Sequence, residues 1–229
     1  MSRMEVTELW RYPVKSMAGE RVRSAELGEW GLPGDRRLAA FEIGRPSSGK
    51  PISARKVPSL LRFRASLSGH GVQVAGPELD AVPWDHVSVG KSLLRACGAA
   101  LELREVPNGA FDGFPLLLVH LGTAAALSRE MGAPVDHRRF RANVYLGGPG
   151  LEAHQERSLV ARRLRLGSAV LEATLPCPRC AMTSRDPDTF EVWPQLLRHL
   201  VWQHQDVVGV YCRVAVPGSV AEGDAVELL

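Results

Sequence analysis

Short segments in which apolar and polar residues alternate, separated by Gly, Pro and Asp, outnumber long amphipathic runs along this chain. Alternation with a period of two gives a strand one apolar face, so the pattern predicts a mainly β fold with a few helices, of the α+β kind. In the first part, strands are expected at 6–12, 21–27, 37–43, 61–67, 72–74 and 101–105, with a helix at 88–97. The second part begins near Pro115, where a buried strand at 116–120 leads into a helix at 123–132 that ends on Gly132. Further strands are expected at 141–146, 163–166, 169–175, 207–216 and 225–229. A late helix at 194–204 opens on a proline, and turns are read at Pro217-Gly218 and Gly223-Asp224. The loop at 44–53, rich in Ser, Gly and Pro, suits a mobile surface loop or the edge of an active site.

Composition narrows this picture. With 229 residues, 45% hydrophobic and 23% charged, the chain suits a soluble globular protein of one large or two small domains, each able to bury a core. Domains are expected at 1–110 and 111–229. The N-terminal residues lack the apolar core of a secretion signal, and no run approaches the roughly 20 apolar residues that span a bilayer. A cytoplasmic protein without membrane attachment is therefore expected. Four cysteines are too few for a disulfide framework, which favours reduced thiols. The net charge of +3 is mild, and the arginines are spread out, with modest clusters at Arg138-Arg139 and Arg162-Arg163. This argues against nucleic acid and for a small anionic ligand.

The candidate chemistry gathers at 176–189, Pro-Cys-Pro-Arg-Cys-Ala-Met-Thr-Ser-Arg-Asp-Pro-Asp-Thr. A thiolate is a soft ligand and nucleophile, and adjacent arginines favour its charged form. The spacing of Cys177 and Cys180 has three readings. A closed structural zinc site needs four ligands, but Cys97 and Cys212 stand alone and the seven histidines are scattered. His199 and His204 are the closest pair, at a spacing that weakly suits one helical face. A dithiol redox pair would open a helix, whereas Asp186-Pro187-Asp188 turns the chain soon after Cys180. The third reading, one working thiolate with a structural companion, calls for a cofactor and an anion-binding constellation.

Three polar segments supply candidates for that constellation. Tyr12-Pro13-Val14-Lys15-Ser16 presents a Lys-Ser pair on a loop, and Gly31-Leu32-Pro33-Gly34-Asp35-Arg36 presents an arginine. In Arg138-Arg139-Phe140-Arg141-Ala142-Asn143, alternation places Arg139, Arg141 and Asn143 on one side of an emerging strand. Each has a plainer alternative: Lys15 as solvated surface, Asp35 as a turn residue bonded to backbone, and Arg139, Arg141 and Asn143 as a solvated strand face. Asp186 and Asp188 suit turn hydrogen bonds, and Cys97 and Cys212 suit core packing.

In this order, Tyr-Pro-Val-Lys-Ser at 12–16, Gly-Leu-Pro-Gly-Asp-Arg at 31–36, Phe-Arg-Ala-Asn-Val at 140–144 and Cys-Pro-Arg-Cys-Ala-Met-Thr with Asp-Pro-Asp-Thr at 177–189 resemble the MOSC-domain proteins. The nearest branch in kind is that of the amidoxime-reducing components and their bacterial relatives, in which an N-terminal MOSC β-barrel-like domain precedes a MOSC-type β-barrel. The likeness extends to Gly209-Val210-Tyr211 and to 217–224. It implies a molybdenum cofactor, a phosphate-bearing molybdopterin, with Cys180 as the metal ligand and the catalytic residue. Lys15, Ser16, Arg36, Arg141 and Asn143 would hold the pterin and its phosphate, with Thr183 near the metal ligand and Arg139 as an addition from the same segment. Cys177 would be a neighbour of the ligand. A pyridoxal phosphate association is carried at the level of the family only.

The reaction implied is two-electron reduction of N-hydroxylated compounds (amidoximes, hydroxylamines, hydroxylated bases) to amines or amidines. No cluster-binding set of cysteines is present, so the expected electron donor is a separate flavin reductase, ferredoxin or b-type cytochrome. A binding or sulfur-carrier protein with a Cys180 persulfide is the alternative. Two departures from the family pattern bear on the substrate mouth. Phe190 stands where glycine is usual, and 152–165 lacks the expected tryptophan.

Overall fold

The run Leu-Leu-Leu-Val-His forms strand Leu116–His120, every residue of which is buried. Its alternate side chains feed two separate cores. Leu116 and Leu118 join Val144, Leu146, Leu171 and Val210, whereas Leu117 and Val119 join Leu127, Phe140, Leu196 and Leu200. An unbroken apolar run is what a strand covered on both faces requires. Each fully buried Leu in it contributes roughly 1.5–3 kcal/mol by burial.

The computed structural model describes residues 3–44 and 49–229, so part of the loop read at 44–53 lies outside the described residues. The fold is mainly β with helices α1 (Val87–Cys97), α2 (Leu121–Met131) and α3 (Pro194–His204). Left-handed glycines end α1 and α2: Gly98 at φ 65 and Gly132 at φ 63. No helix among the described residues is long and apolar enough to cross a membrane.

Two compact units emerge, neither a continuous stretch of chain. The larger comprises residues up to Trp10, Arg21–Pro33 and Gly113–Leu229, and the smaller comprises Arg11–Glu20 and Gly34–Asp112. Strand pairing explains the interleaving. Glu5–Arg11 pairs antiparallel with Val144–Gly147, and Ser24–Leu27 pairs with Gly218–Ala221. The first segments of the chain thus complete sheets built by its last.

In the larger unit an eight-stranded sheet runs in the order Val226–Leu228, Arg163–Leu166, Ala169–Pro178, Val207–Val216, Leu116–His120, Val144–Gly147, Glu5–Arg11, Glu20–Val22. Leu116–His120 and Val144–Gly147 are parallel, and α2 supplies the crossover that parallel neighbours need. Helices α2 and α3 place Leu127, Leu196 and Leu200 in the core that receives Leu117 and Val119. Where Val207–Val216 runs antiparallel beside Leu116–His120, Gly209 sits at φ 81, and a Cβ there would lie 2.5 Å from Val119 Cγ2 and 2.6 Å from Leu118 O. Only glycine fits.

In the smaller unit Leu38–Glu42 pairs antiparallel with Leu101–Glu105, and Arg64–Ser68, Gly71–Gly76 and Leu79–Pro83 form a three-stranded antiparallel sheet. Leu60, Phe63, Val74 and Leu93 are fully buried there.

Four sequence readings are corrected. The strand expected at 141–146 starts only at Val144, because residues His137–Phe140 form a 3-10 turn and Arg141 takes φ 55. Asp136 caps that turn by accepting from Arg138 N at 2.8 Å, and Tyr145 Oη donates to His137 O at 2.8 Å. The period-two face of Arg139, Arg141 and Asn143 therefore does not exist. The strand expected from 61 begins at Arg64, after a 3-10 turn that Pro58 opens. The strand expected at 21–27 breaks at Arg23. Gly218, read as a turn, begins strand Gly218–Ala221, whose Val220 is buried.

Candidate functional site

Strand Ala169–Pro178 delivers Cys177 to its end, and Cys180 then caps a 3-10 turn over Ala181–Ser184. This separates two thiols three residues apart into different environments. Cys177 is 2% exposed, and its Sγ accepts from Arg179 Nη1 at 2.9 Å. Cys180 is partly exposed, and among the described residues no hydrogen bond reaches its Sγ. Arg179 is fixed further by donating from Nη2 to Phe140 O at 2.8 Å and by lying 5.6 Å over the Phe140 ring. Burial works against its charge, but Cys177, Tyr211 and Cys180 outweigh burial and hold the guanidinium charged. Thr183, within the turn, is fully buried, and its N–H donates to Cys180 O at 2.9 Å.

The segment that follows behaves as a built turn. Asp186 Oδ1 accepts from Asp188 N at 3.0 Å and Thr189 N at 2.9 Å, as the Asp-Pro-Asp-Thr sequence leads one to expect. Asp188 differs, pairing with Arg138 at 2.5 Å. Phe190 holds φ 64, a left-handed backbone that glycine adopts freely, which suits the glycine that the family resemblance led one to expect there.

Arg139 is 7% exposed and donates from Nη2 to Asp186 Oδ2 at 2.8 Å. Its Nε and Nη1 are buried without a hydrogen-bond partner. Burial depresses its pKa, with Asp186 and Asp136 opposing. Arg141 is half-buried in the left-handed position. Asn143 is buried, with Oδ1 accepting from Leu117 N at 3.2 Å and Nδ2 donating to Trp10 O at 3.1 Å. It thus ties the backbone of Glu5–Arg11 to that of Leu116–His120.

The smaller unit carries Lys15, Ser16 and Arg36. Lys15 Nζ donates to Ala110 O at 2.7 Å and to Asp112 Oδ1 at 2.6 Å. Burial pulls its pKa down, and the Asp112 carboxylate opposes this. Ser16 is 4% exposed at φ 70, with Oγ accepting from Ala54 N at 2.9 Å. Asp35 is fully buried, accepts from Tyr12 N at 2.7 Å and pairs with Arg36. The Arg36 guanidinium lies 4.9 Å over the Tyr12 ring. Sequence reasoning missed Asp112 and Arg55, which pair at 3.2 Å beside Lys15. Neither lies in a motif, and only the turn residues Pro107-Asn108-Gly109 hint that the chain returns there.

The structure therefore groups Lys15, Ser16 and Arg36 in one unit, and Arg139, Arg141, Asn143, Cys180 and Thr183 in the other. Ser16, Arg36 and Arg141 share one unusual property, a positive φ of 70, 50 and 55. The same left-handed region also holds Glu78, His154, Ala161, Phe190, Gln205 and Asp206.

The chain resembles known proteins along most of its length. Residues 107–227 match the MOSC domain and residues 3–92 match the MOSC N-terminal beta barrel domain. It is 23% identical to mitochondrial amidoxime reducing component 2 of Homo sapiens, over 80% of this chain and 67% of that one. The Bos taurus protein of the same name is 22% identical over 96% of this chain and 82% of that one. Among solved structures, the YUAD protein of Bacillus subtilis superposes with a TM-score of 0.56 at 17% identity, covering 100% of this chain and 96% of that one. This last likeness concerns the fold.

Proposed function

The chain belongs to the MOSC-domain family, and from that premise we propose that it is a molybdenum-cofactor-dependent oxidoreductase that reduces N-hydroxylated compounds. Amidoximes, hydroxylamines and hydroxylated bases would be its substrates, and amidines or amines plus water its products. The observation that carries this reading is the asymmetry of the two cysteines. Cys177 accepts from Arg179 and is buried, while Cys180 presents a partly exposed thiol with no hydrogen bond among the described residues.

The donor set suits the cofactor. Cys180 is a soft ligand for molybdenum. Within the smaller unit Lys15, Ser16 and Arg36, and within the larger unit Arg141, offer charge or left-handed backbone of the kind that suits a pterin phosphate. Arg139 retains two buried guanidinium donors without partners, and anions are what satisfy such donors. When bound, the cofactor supplies the two-electron chemistry that converts N–OH to N–H and water.

The chain's own residues then have separable roles. Thr183 fixes the backbone of Cys180 through the 2.9 Å hydrogen bond to its carbonyl. Asn143 acts by positioning, since its amide holds the strands that flank Arg141. Arg179 keeps Cys177 out of competition for the metal. Electrons come from a separate donor protein, a flavin reductase, ferredoxin or b-type cytochrome.

The test is expression of the protein in a cofactor-competent host. One molybdenum and one pterin per chain are expected, together with reduction of benzamidoxime by a chemical donor. Failure of both would sink the proposal. Cys180→Ala is expected to remove metal and activity, whereas Cys177→Ala keeps a substantial part of each. Equal loss in both contradicts a single thiolate ligand. The same accessible thiol on Cys180 favours one second reading, a sulfur carrier, which a persulfide on Cys180 in a protein inactive toward N-hydroxylated compounds would support.

A further inference from the structure

Helices α2 and α3 and the loop after Val144–Gly147 bring three histidines onto one carboxylate. Glu130, in the last turn of α2, has Oε2 2.7 Å from His199 Nε2 and 2.7 Å from His204 Nε2. Its Oε1 lies 2.9 Å from His154 Nε2. The ligand atoms of Glu130, His199 and His204 all fall within 4.8 Å of one another. No hydrogen bond joins the cluster to Cys180, Thr183 or Arg139.

As an ion-pair cluster the arrangement is poorly balanced. One carboxylate faces three imidazoles, and the rings of His154 and His204 stack with centroids 3.8 Å apart at 15°. Imidazole nitrogens, once their hydrogen sits on the other ring nitrogen, and a carboxylate oxygen are the donors of a zinc-type centre, which takes His nitrogen at about 2.0–2.1 Å and Glu oxygen at about 2.0–2.2 Å. Ligands so bound lie about 3.4 Å apart around a tetrahedral ion, and small rotations of side chains already in contact reach that spacing.

We propose that Glu130, His199 and His204 form a second metal site, independent of the proposed cofactor, for a divalent transition ion of the zinc class. Glu130 Oε2, His199 Nε2 and His204 Nε2 are the three ligands, and solvent takes the fourth position. His154 is a positioning residue that holds Oε1 and thereby turns Oε2 toward the ion, the role of an outer-shell partner. The fold fixes it from two sides. His154 N donates to Thr123 Oγ1 at 2.9 Å, and its ring is stacked on His204. The helix ending adapts the spacing of the pair: His204 closes α3, and Gln205 and Asp206 turn the chain out at φ 54 and 56. The ligand side chains of Glu130, His199 and His204 are 31%, 23% and 16% exposed, which leaves a path for the ion from solvent.

The experiment uses untagged, EDTA-stripped protein carrying Cys180→Ala, titrated with zinc by calorimetry and with cobalt by absorption. One zinc per chain is expected. Glu130→Gln and His204→Gln are each expected to weaken binding by at least ~100-fold, and His154→Ala by the ~10–100-fold typical of an outer-shell partner. The cobalt complex should show tetrahedral d–d bands without a thiolate charge-transfer band. That spectrum needs no ligand variant, so it decides the matter even if a variant folds poorly. Absence of binding, a thiolate band, or zinc affinity that survives both Glu130→Gln and His204→Gln overturns the proposal.

Discussion

Arg179 Nη1 lies 2.9 Å from Cys177 Sγ, so the arginine between the two cysteines serves the buried one. Reaction with a small alkylating agent should follow burial. Cys180 and Cys97, both partly exposed, are expected to label first in the native apo-protein. Cys177 and Cys212, 2% and 0% exposed, should label only on unfolding, and burial also pushes the Cys212 thiol up to about 12, which removes its reactive thiolate. Peptide mapping by mass spectrometry over a time course measures the order. Labelling of Cys177 ahead of Cys180 would contradict the assignment.

A buried carboxylate with a charged partner offers the second prediction. Asp35 has no exposed surface, and it both accepts from Tyr12 N and pairs with Arg36. Asp35→Ala removes the carboxylate that pairs with Arg36, 15% exposed, and that accepts from Tyr12 N. Removing one partner of such a pair costs roughly 3–5 kcal/mol. Asp35→Asn keeps an acceptor for Tyr12 N and should cost less. Urea denaturation of the two variants gives the comparison, and equal midpoints would mean that the ion pair contributes nothing.

Much of the fold was legible because apolar patterning and burial agree. Strands Leu101–Glu105, Leu116–His120, Arg163–Leu166 and Val207–Val216 and helix α3 fall where alternation, apolar runs or Pro194 place them. Arg141–Leu146 misled because Arg, Ala, Asn and Val alternate like a strand, while Asp136 and Tyr145 bind the preceding backbone into a tight turn. Strand Leu79–Pro83 was missed because its Leu-Asp-Ala-Val-Pro sequence does not alternate and ends on a proline. The candidate site was legible as residue types but not as partners. Lys15 meets Asp112 across 97 positions, and no local spacing encodes that. Nor does the Cys-x-x-Cys spacing say which thiol is buried; the end of strand Ala169–Pro178 decides it.

Acid should destabilise the protein through its paired aspartates. At Asp136, burial opposes the charge, but the side chain and backbone N–H of Arg138 outweigh it, and the carboxyl sits below its ordinary value of 3.8. A carboxyl depressed on folding stabilises the fold fully above its unfolded value and loses that contribution as pH falls through its folded value. Asp186 is depressed too: burial opposes, and the N–H groups of Thr189 and Asp188, then Arg139, prevail. The contributions of Asp136 and Asp186 are therefore expected to hold from neutrality to about pH 5 and to be lost below about pH 4. Asp136→Asn should melt lower than the parent at pH 7 and converge with it in acid. Parallel curves for the two proteins across that range would remove Asp136 from the account.

The close approach at Gly209 gives a prediction with an internal control. Gly209→Ala puts a methyl 2.5 Å from Val119 Cγ2 and 2.6 Å from Leu118 O, at φ 81. Two penalties add: about 1–2 kcal/mol for a left-handed non-glycine residue and about 1–3 kcal/mol for overpacking against a strand in the sheet. Gly132→Ala carries only the first, because φ is 63 and a Cβ there meets nothing within 4 Å. Both glycines lie in the larger unit, so their urea midpoints are directly comparable. Gly209→Ala should fall well below Gly132→Ala, and the difference measures the steric part alone. If the two variants unfold together, the pairing of Val207–Val216 with Leu116–His120 at Gly209 is looser than the 2.5 Å approach requires.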